Sequence, residues 1–376
     1  MDHPSAPDEG VREAEPLPPR RETVLARYSR RSKLTALGLV FVVLIALSYV
    51  SAQMLSNDTA PKAGQHGPKV HSADAIDKTS VVSAQERDGQ AGDMRTASDP
   101  NGARLNEQDD KSVKMIAAPD AELTEDTSEG SLPRIAEDGR QPWQVYARPF
   151  NVADKRPRLA LVVTDLGLSR SVTELAVTRL PAAVTLAFDV QGAVTASWCG
   201  RARQDGHEIF LSLPMEPFDY PRSDPGAHAL LTTLPNSANL ERLNWALRQG
   251  VGYVGVTTLS GSRFTTDSEK MRLVLDTLKQ RGLMILDAHV APHSSVTELA
   301  RAEHVPVAMA TAKIDDNLSP EEIDNVLSQL EQVARLNGHA VGIVPALPLV
   351  IERLQVWLNN LPEHGIALAP VSSLAQ

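Results

Sequence analysis

Leu159-Ala-Leu-Val-Val-Thr-Asp165-Leu-Gly-Leu168 is the stretch that decides the fold. Its first six residues are aliphatic or β-branched with no charge among them, the pattern of a strand buried on both faces rather than one half exposed to water. An acidic residue where such a strand ends occupies the usual position of a functional group on an α/β barrel.

Similar short runs recur outward along the chain. They are Val184–Phe188, Glu208–Leu213, Tyr253–Thr257, Leu283–Asp287, Val305–Met309, Ala340–Val344 and Ile366–Val371, with amphipathic helical stretches between them. Regular alternation of strand and helix implies a parallel sheet with helices outside it. Two helix starts are marked by capping-box spacing, Thr266-Asp-Ser-Glu269 and Ser319-Pro-Glu-Glu322, and Gly282 and Gly338 stand just beyond the corresponding helix ends. Seven or eight such units without a glycine-rich phosphate loop predict an irregular (β/α) barrel rather than an open doubly wound sheet.

The segment before this region is different in kind. Residues 34–50 carry no charge, and with residues 51–55 they reach the roughly 20 residues a helix needs to cross a bilayer. Arg20, Arg21, Arg27, Arg30, Arg31 and Lys33 precede the span, so residues 1–33 are expected to be a cytoplasmic basic tail and residues 34–55 a single uncleaved inner-membrane anchor. The C-terminal domain then lies in the periplasm. Residues 56–140 contain no Phe, Trp or Tyr and no apolar periodicity, which predicts a disordered linker, with the folded domain at 141–376. Gln141-Pro-Trp-Gln-Val-Tyr-Ala-Arg-Pro-Phe150 restores aromatics and reads as an extended segment packed on the domain. The formal net charge of −10 excludes a nucleic-acid binder, because phosphate contacts need a basic face. Cys199 is the single cysteine, so no internal disulfide can form.

Asp165-Leu-Gly, Leu213-Pro-Met-Glu-Pro217, Asp224-Pro-Gly, Gly261-Ser-Arg-Phe-Thr265, Asp287 and Asp316-Asn317 together resemble the divergent polysaccharide deacetylase family over about residues 157–374. The resemblance implies a deacetylase-type barrel and hydrolysis of an amide C–N bond, with a divalent metal, normally zinc, activating water beside a carboxylate base. Relatives carry paired aspartates after the first strand, a His before Pro-Met-Glu-Pro, an Asn-Asn-His-Met-Gly-Ser motif and a Gly-His-Pro-His-Pro motif. Here these positions read Thr164-Asp165, Ser212, Thr257-Thr258-Leu259-Ser260-Gly261-Ser262 and Val344-Pro345-Ala346-Leu347-Pro348. Only Asp165 remains of the likely metal and base set, so no cofactor is expected, and zinc or another divalent metal enters only if the site is active.

The candidate catalytic residues are Asp165 and Asp287. Glu216, Arg263, Asp316 and Asn317 are candidates for binding, although Glu216 and Arg263 can equally pair with one another to brace loops, and Asp315-Asp316-Asn317 can be turn chemistry before a capped helix. A relocated metal site is conceivable at Asp287, His289 and His293, but Pro292 removes any helical geometry behind the two histidines. His207 opens a strand and reads as a structural hydrogen-bonder. The reading is a membrane-anchored envelope protein whose barrel has lost its metal centre and binds cell-wall glycan or an envelope protein. The alternatives are an active carbohydrate deacetylase with an altered site and an envelope assembly scaffold.

Overall fold

A computed structural model describes residues 113–258, 260–314 and 318–376. The basic tail, the expected anchor at 34–55, the linker as far as residue 112, and Asp316 and Asn317 lie outside the described residues. Among the described residues no helix is long and apolar enough to cross a membrane.

The sheet is parallel. Its strands are β3 (Arg158–Leu166), β4 (Thr185–Asp189), β5 (Ile209–Ser212), β6 (Gly255–Thr257), β7 (Met284–Asp287), β8 (Val307–Met309), β9 (Ala312–Lys313), β10 (His339–Pro345) and β11 (Ala367–Leu368). They are ordered β8-β7-β6-β5-β4-β3-β10-β9, with β11 added beside β3. The two ends of that order are joined by the chain itself. Ala310 N–H donates to Asp287 O of β7 at 2.8 Å, and Thr311 N–H donates to Val341 O of β10 at 2.7 Å, so the bent segment Val307–Lys313 bridges one edge to the other. The architecture is a (β/α) barrel with one irregular stave.

Alternation along the strands sorts side chains into two cores. Leu159, Leu161 and Val163 face outward, with Leu186, Phe188, Ile209, Leu211 and Val256, to meet the helices. Ala160 and Val162 face inward with Ala187, Phe210, Leu286, Ala308, Val341 and Ile343, so the barrel is filled rather than hollow. The helices are α1 (Pro142–Val145), α2 (Arg170–Arg179), α3 (Thr195–Gln204), α4 (Asn236–Leu247), α5 (Ser268–Gln280), α6 (Val296–Ala302), α7 (Pro320–Asn337) and α8 (Pro348–Asn360).

The expected helix starts are both present, one displaced by a residue. Ser319 caps α7 by accepting from Glu322 N–H at 3.2 Å, with Pro320 at its first position. At α5 the cap is Asp267 rather than Thr266, because the helix begins at Ser268 and the Asp267 carboxylate accepts from both Glu269 N–H and Lys270 N–H at 3.1 Å. Gly338 closes α7 in the left-handed conformation at φ 80°.

The expected domain start at 141 requires correction. Residues Ala121–Leu123 form a 3-10 turn, and β1 (Thr124–Thr127) pairs antiparallel with β2 (Gly130–Pro133). Leu123, Leu132 and Ala136 are buried against the barrel. Arg203 of α3 anchors this strap: its Nη1 donates to Tyr146 O at 2.9 Å and Gly252 O at 2.8 Å, its Nη2 to Ile116 O at 2.7 Å, and it lies over the Tyr146 ring. A strap held by a few apolar residues and backbone bonds escapes a composition argument, which sees only its missing aromatics. The 141–150 segment packs on the domain as expected, but through the short helix α1 rather than as an extended chain.

Candidate functional site

Four adjacent strands end side by side at the C-terminal mouth of the barrel. Registration places Leu166 beside Phe188, Asp189 beside Ser212, and Ser212 beside Thr257. Asp165, Asp189, Ser212 and Thr257 therefore form a row across β3 to β6. The first three line a cleft of about 350 Å³, together with Gln191, Leu213, Pro214, Pro217, Ser223, Asp224, Pro225 and Ser260. That volume suits a small ligand, for which sites run roughly 300–1,000 Å³. No histidine, aromatic or cationic side chain lines it among the described residues.

The row carries unspent polar capacity. Asp165 adopts φ 61°, a left-handed conformation that a short polar side chain tolerates. Its carboxylate accepts one bond, from Thr164 Oγ1 at 3.1 Å. Its tip remains exposed, yet the enclosing protein raises its carboxyl above the usual range, against the lowering effects of that bond and of the Lys313 charge. Asp189 is likewise raised, first by burial and further by the Asp165 charge, although Gln191 N–H donates to its Oδ1 at 2.7 Å. Ser212 is 4% exposed and Thr257 0%, and neither Oγ of Ser212 nor Oγ1 of Thr257 has a hydrogen-bond partner among the described residues.

The other candidates are placed elsewhere. Asp287 is buried at the end of β7 and engaged by its own loop. It accepts from His289 N–H at 2.9 Å, Thr297 Oγ1 at 2.8 Å and Ser294 Oγ at 3.3 Å. His289 and His293 are exposed, and His289 faces a groove along Val307–Thr311 and His339 instead of the cleft. Glu216 is buried, accepting from Thr232 Oγ1 at 2.7 Å and pairing with Arg263 Nε at 3.5 Å, while Arg263 Nη2 donates to Phe218 O at 3.2 Å. That pair braces the loops after β5 and β6, with Glu216 buried and the Arg263 side chain about half exposed.

His207 sits at the opposite end of the barrel. Its ring nitrogens meet Val184 O at 2.8 Å and Val177 O at 3.1 Å, and burial pulls its pKa down despite those two carbonyls. A neutral imidazole can donate to only one of them. The arrangement rules out a hydrolytic partnership with Asp165 or with Ser260 and Ser262. Cys199 is buried, and desolvation pushes its thiol up to about 12, so it is chemically inert near neutral pH.

Asp189 escaped the sequence reading. Nothing in Leu186-Ala-Phe-Asp189 separates a site aspartate from a turn residue; only the position of β4 beside β3 brings it to Asp165. The strand-end rule that singled out Asp165 would have found it if applied to every strand.

The described residues of the cleft do not fit a zinc site. Among the described residues no group of three His, Cys, Asp or Glu side chains is arranged to hold a metal ion. Ser212 and Thr257, at positions that carry imidazole or amide donors in relatives, supply only hydroxyls.

This barrel, with its cleft at the strand ends, matches the family model for divergent polysaccharide deacetylase over residues 161–375, and the chain belongs to that family. It is similar to the uncharacterized protein YibQ of Escherichia coli (strain K12), 27% identical over 218 residues that span 58% of this chain and 67% of that one. An uncharacterized protein of Haemophilus influenzae is 24% identical over 207 residues, 55% of this chain and 72% of its own. The crystal structure of an uncharacterized protein from Agrobacterium tumefaciens C58 superposes with a TM-score of 0.64 at 35% identity, covering 65% of this chain and 99% of that one.

Proposed function

We propose that this family member binds cell-wall glycan in the strand-end cleft without hydrolysing it, as the periplasmic domain of a protein anchored in the inner membrane through residues 34–55. The observation that carries the reading is the chemistry of the row Asp165, Asp189, Ser212 and Thr257, in which acceptors and hydroxyls replace the donor set that metal-assisted deacetylation needs. Carboxylates that accept one bond each and hydroxyls without a partner among the described residues match the dense hydroxyl array of a sugar. The alternative of a deacetylase rebuilt around Asp287, His289 and His293 is weakened by the engagement of Asp287 with Thr297 and Ser294. An envelope-protein partner is the remaining alternative, and nothing in the cleft favours it.

The test incubates the purified full-length chain with cell-wall muropeptides and N-acetylglucosamine oligomers, with and without added zinc. Saturable binding that Asp165→Asn weakens, with no release of acetate, supports the proposal. Zinc-dependent acetate release lost in the same variant overturns it in favour of an active deacetylase.

A further inference from the structure

The cleft has an unusual charge balance. Asp165, Asp189 and Asp224 all line it, and no Lys, Arg or His does among the described residues. Some of their capacity is consumed locally: Asp224 Oδ1 accepts from Gly226 N–H at 2.9 Å, and Asp189 Oδ1 from Gln191 N–H. Ser223 Oγ donates to Asp219 Oδ2 at 2.6 Å, and Ser260 Oγ lies 3.5 Å from Met215 O. What remains toward the cavity is acceptor-rich, with three carboxylates lining it against the one Lys313 charge that acts on Asp165 from outside the lining.

Ser212 supplies an independent sign of a missing ligand. It is 4% exposed, it lines the floor between Asp189 and Thr257, and its hydroxyl is without a partner among the described residues. A buried hydroxyl with no partner costs stability, and native proteins keep such groups chiefly where function uses them.

A neutral N-acetyl sugar offers these carboxylates a single uncharged acetamide N–H, and its carbonyl is an acceptor that they cannot satisfy. A ligand with a protonated amine presents three donors and a positive charge to the same groups, and charge-assisted bonds of this kind are about twice as strong as neutral ones. A metal ion is the other class of cation, and the donor set described above does not hold one.

We propose that the cleft selects amino sugars carrying a free, protonated amine, with Asp165 and Asp189 as partners of the ammonium group and Ser212 Oγ bonded to a ring substituent. The inference rests on the glycan-binding reading and deepens it. The chain is then a reader of de-N-acetylated glycan, the product of the reaction that its family relatives are named for.

Calorimetric titration of the full-length chain with glucosamine tetramer, with its fully N-acetylated counterpart and with spermidine tests this. The free-amine oligomer is expected to bind at least about tenfold more tightly than the acetylated one, since a charged hydrogen bond is worth roughly 1.5–3 kcal/mol. Added salt weakens that binding, spermidine does not match it, and Asp165→Asn and Asp189→Asn each reduce it about tenfold. Both variants keep an acceptor oxygen, and Asn tolerates the backbone of residue 165, so an unchanged circular dichroism spectrum is expected. Equal or tighter binding of the acetylated oligomer overturns the amine selectivity and leaves glycan binding standing. Spermidine binding as tightly as the amino sugar, or no binding of any of the three, overturns both.

Discussion

The two ends of this barrel treat their polar groups in opposite ways. At the N-terminal end, Glu208 is 0% exposed and receives Ser372 N–H at 3.1 Å, Ser372 Oγ, Thr185 Oγ1 at 3.3 Å and Arg148 N–H at 3.3 Å. At the C-terminal end, Asp165 and Asp189 receive one bond each, and the hydroxyls of Ser212 and Thr257 none. Polar capacity is consumed by the fold at one end and held in reserve at the other. The contrast between these particular groups agrees with the division of labour between the two faces of (β/α) barrels.

Substitutions can break that contrast, beginning with the largest effect. Glu208→Ala removes four bonds and leaves a void, and is expected to destabilise the domain by about 3–4 kcal/mol in urea unfolding. A loss below about 1 kcal/mol would mean the N-terminal network is dispensable and the contrast empty. Arg203→Leu should cost about 2–3 kcal/mol, as two buried carbonyls and a partly buried one lose a charged donor. Limited proteolysis should then cut between residues 113 and 140 well before the barrel; resistance there would show that the strap holds by apolar packing alone.

Asp189→Asn tests the other end, where stability should rise. Burial and the Asp165 charge hold the Asp189 carboxyl above its ordinary range, so the fold prefers its protonated form. That preference stabilises the protein below the ordinary carboxyl value and is lost as pH climbs through the raised one. Asparagine is neutral at every pH. The variant should therefore melt about 1–3 °C higher near pH 7, with the difference vanishing toward about pH 4, while ligand binding falls. A lower melting temperature at neutral pH would show that Asp189 braces the fold. The smallest effect belongs to Thr257→Val, which trades an unpartnered hydroxyl for a methyl of similar volume and should change stability by less than about 1 kcal/mol, in the stabilising direction.

The strands were legible because a parallel barrel needs continuous apolar runs, and Leu159–Val163 has no other reading. Helix caps were legible to within a residue, since Asp267 and Thr266 compete for one role. Asp165 was found from its strand, and the loss of family donors at Ser212 and Thr257 was plain from the motifs. The choice between bracing and binding was harder to read. Asp287, Glu216 and Arg263 have the right chemistry at the right end, and only three-dimensional partners, Thr297, Thr232 and Phe218, show that their capacity is already used. The hairpin at 124–133 was missed because its polar partners, Arg281 on Glu125 and Pro133 O and Arg248 on Glu129, lie more than about 100 residues away in sequence and are invisible to a local window.

The bent stave Val307–Lys313 sets a timetable for folding. β3 lies between β4 and β10, and β10 is also the strand that the second half of the stave needs. Val162 pairs with Ile343 across 180 residues of chain, so the ring cannot seal until nearly the whole polypeptide has been made. Until then the inward row of Ala160, Val162 and Phe210 has no opposite wall, and an intermediate with open sheet edges must persist for the time that synthesis takes. A chain that emerges from a ribosome or a translocation channel one end first would spend that interval as an unfinished sheet, which is when a chaperone would find it.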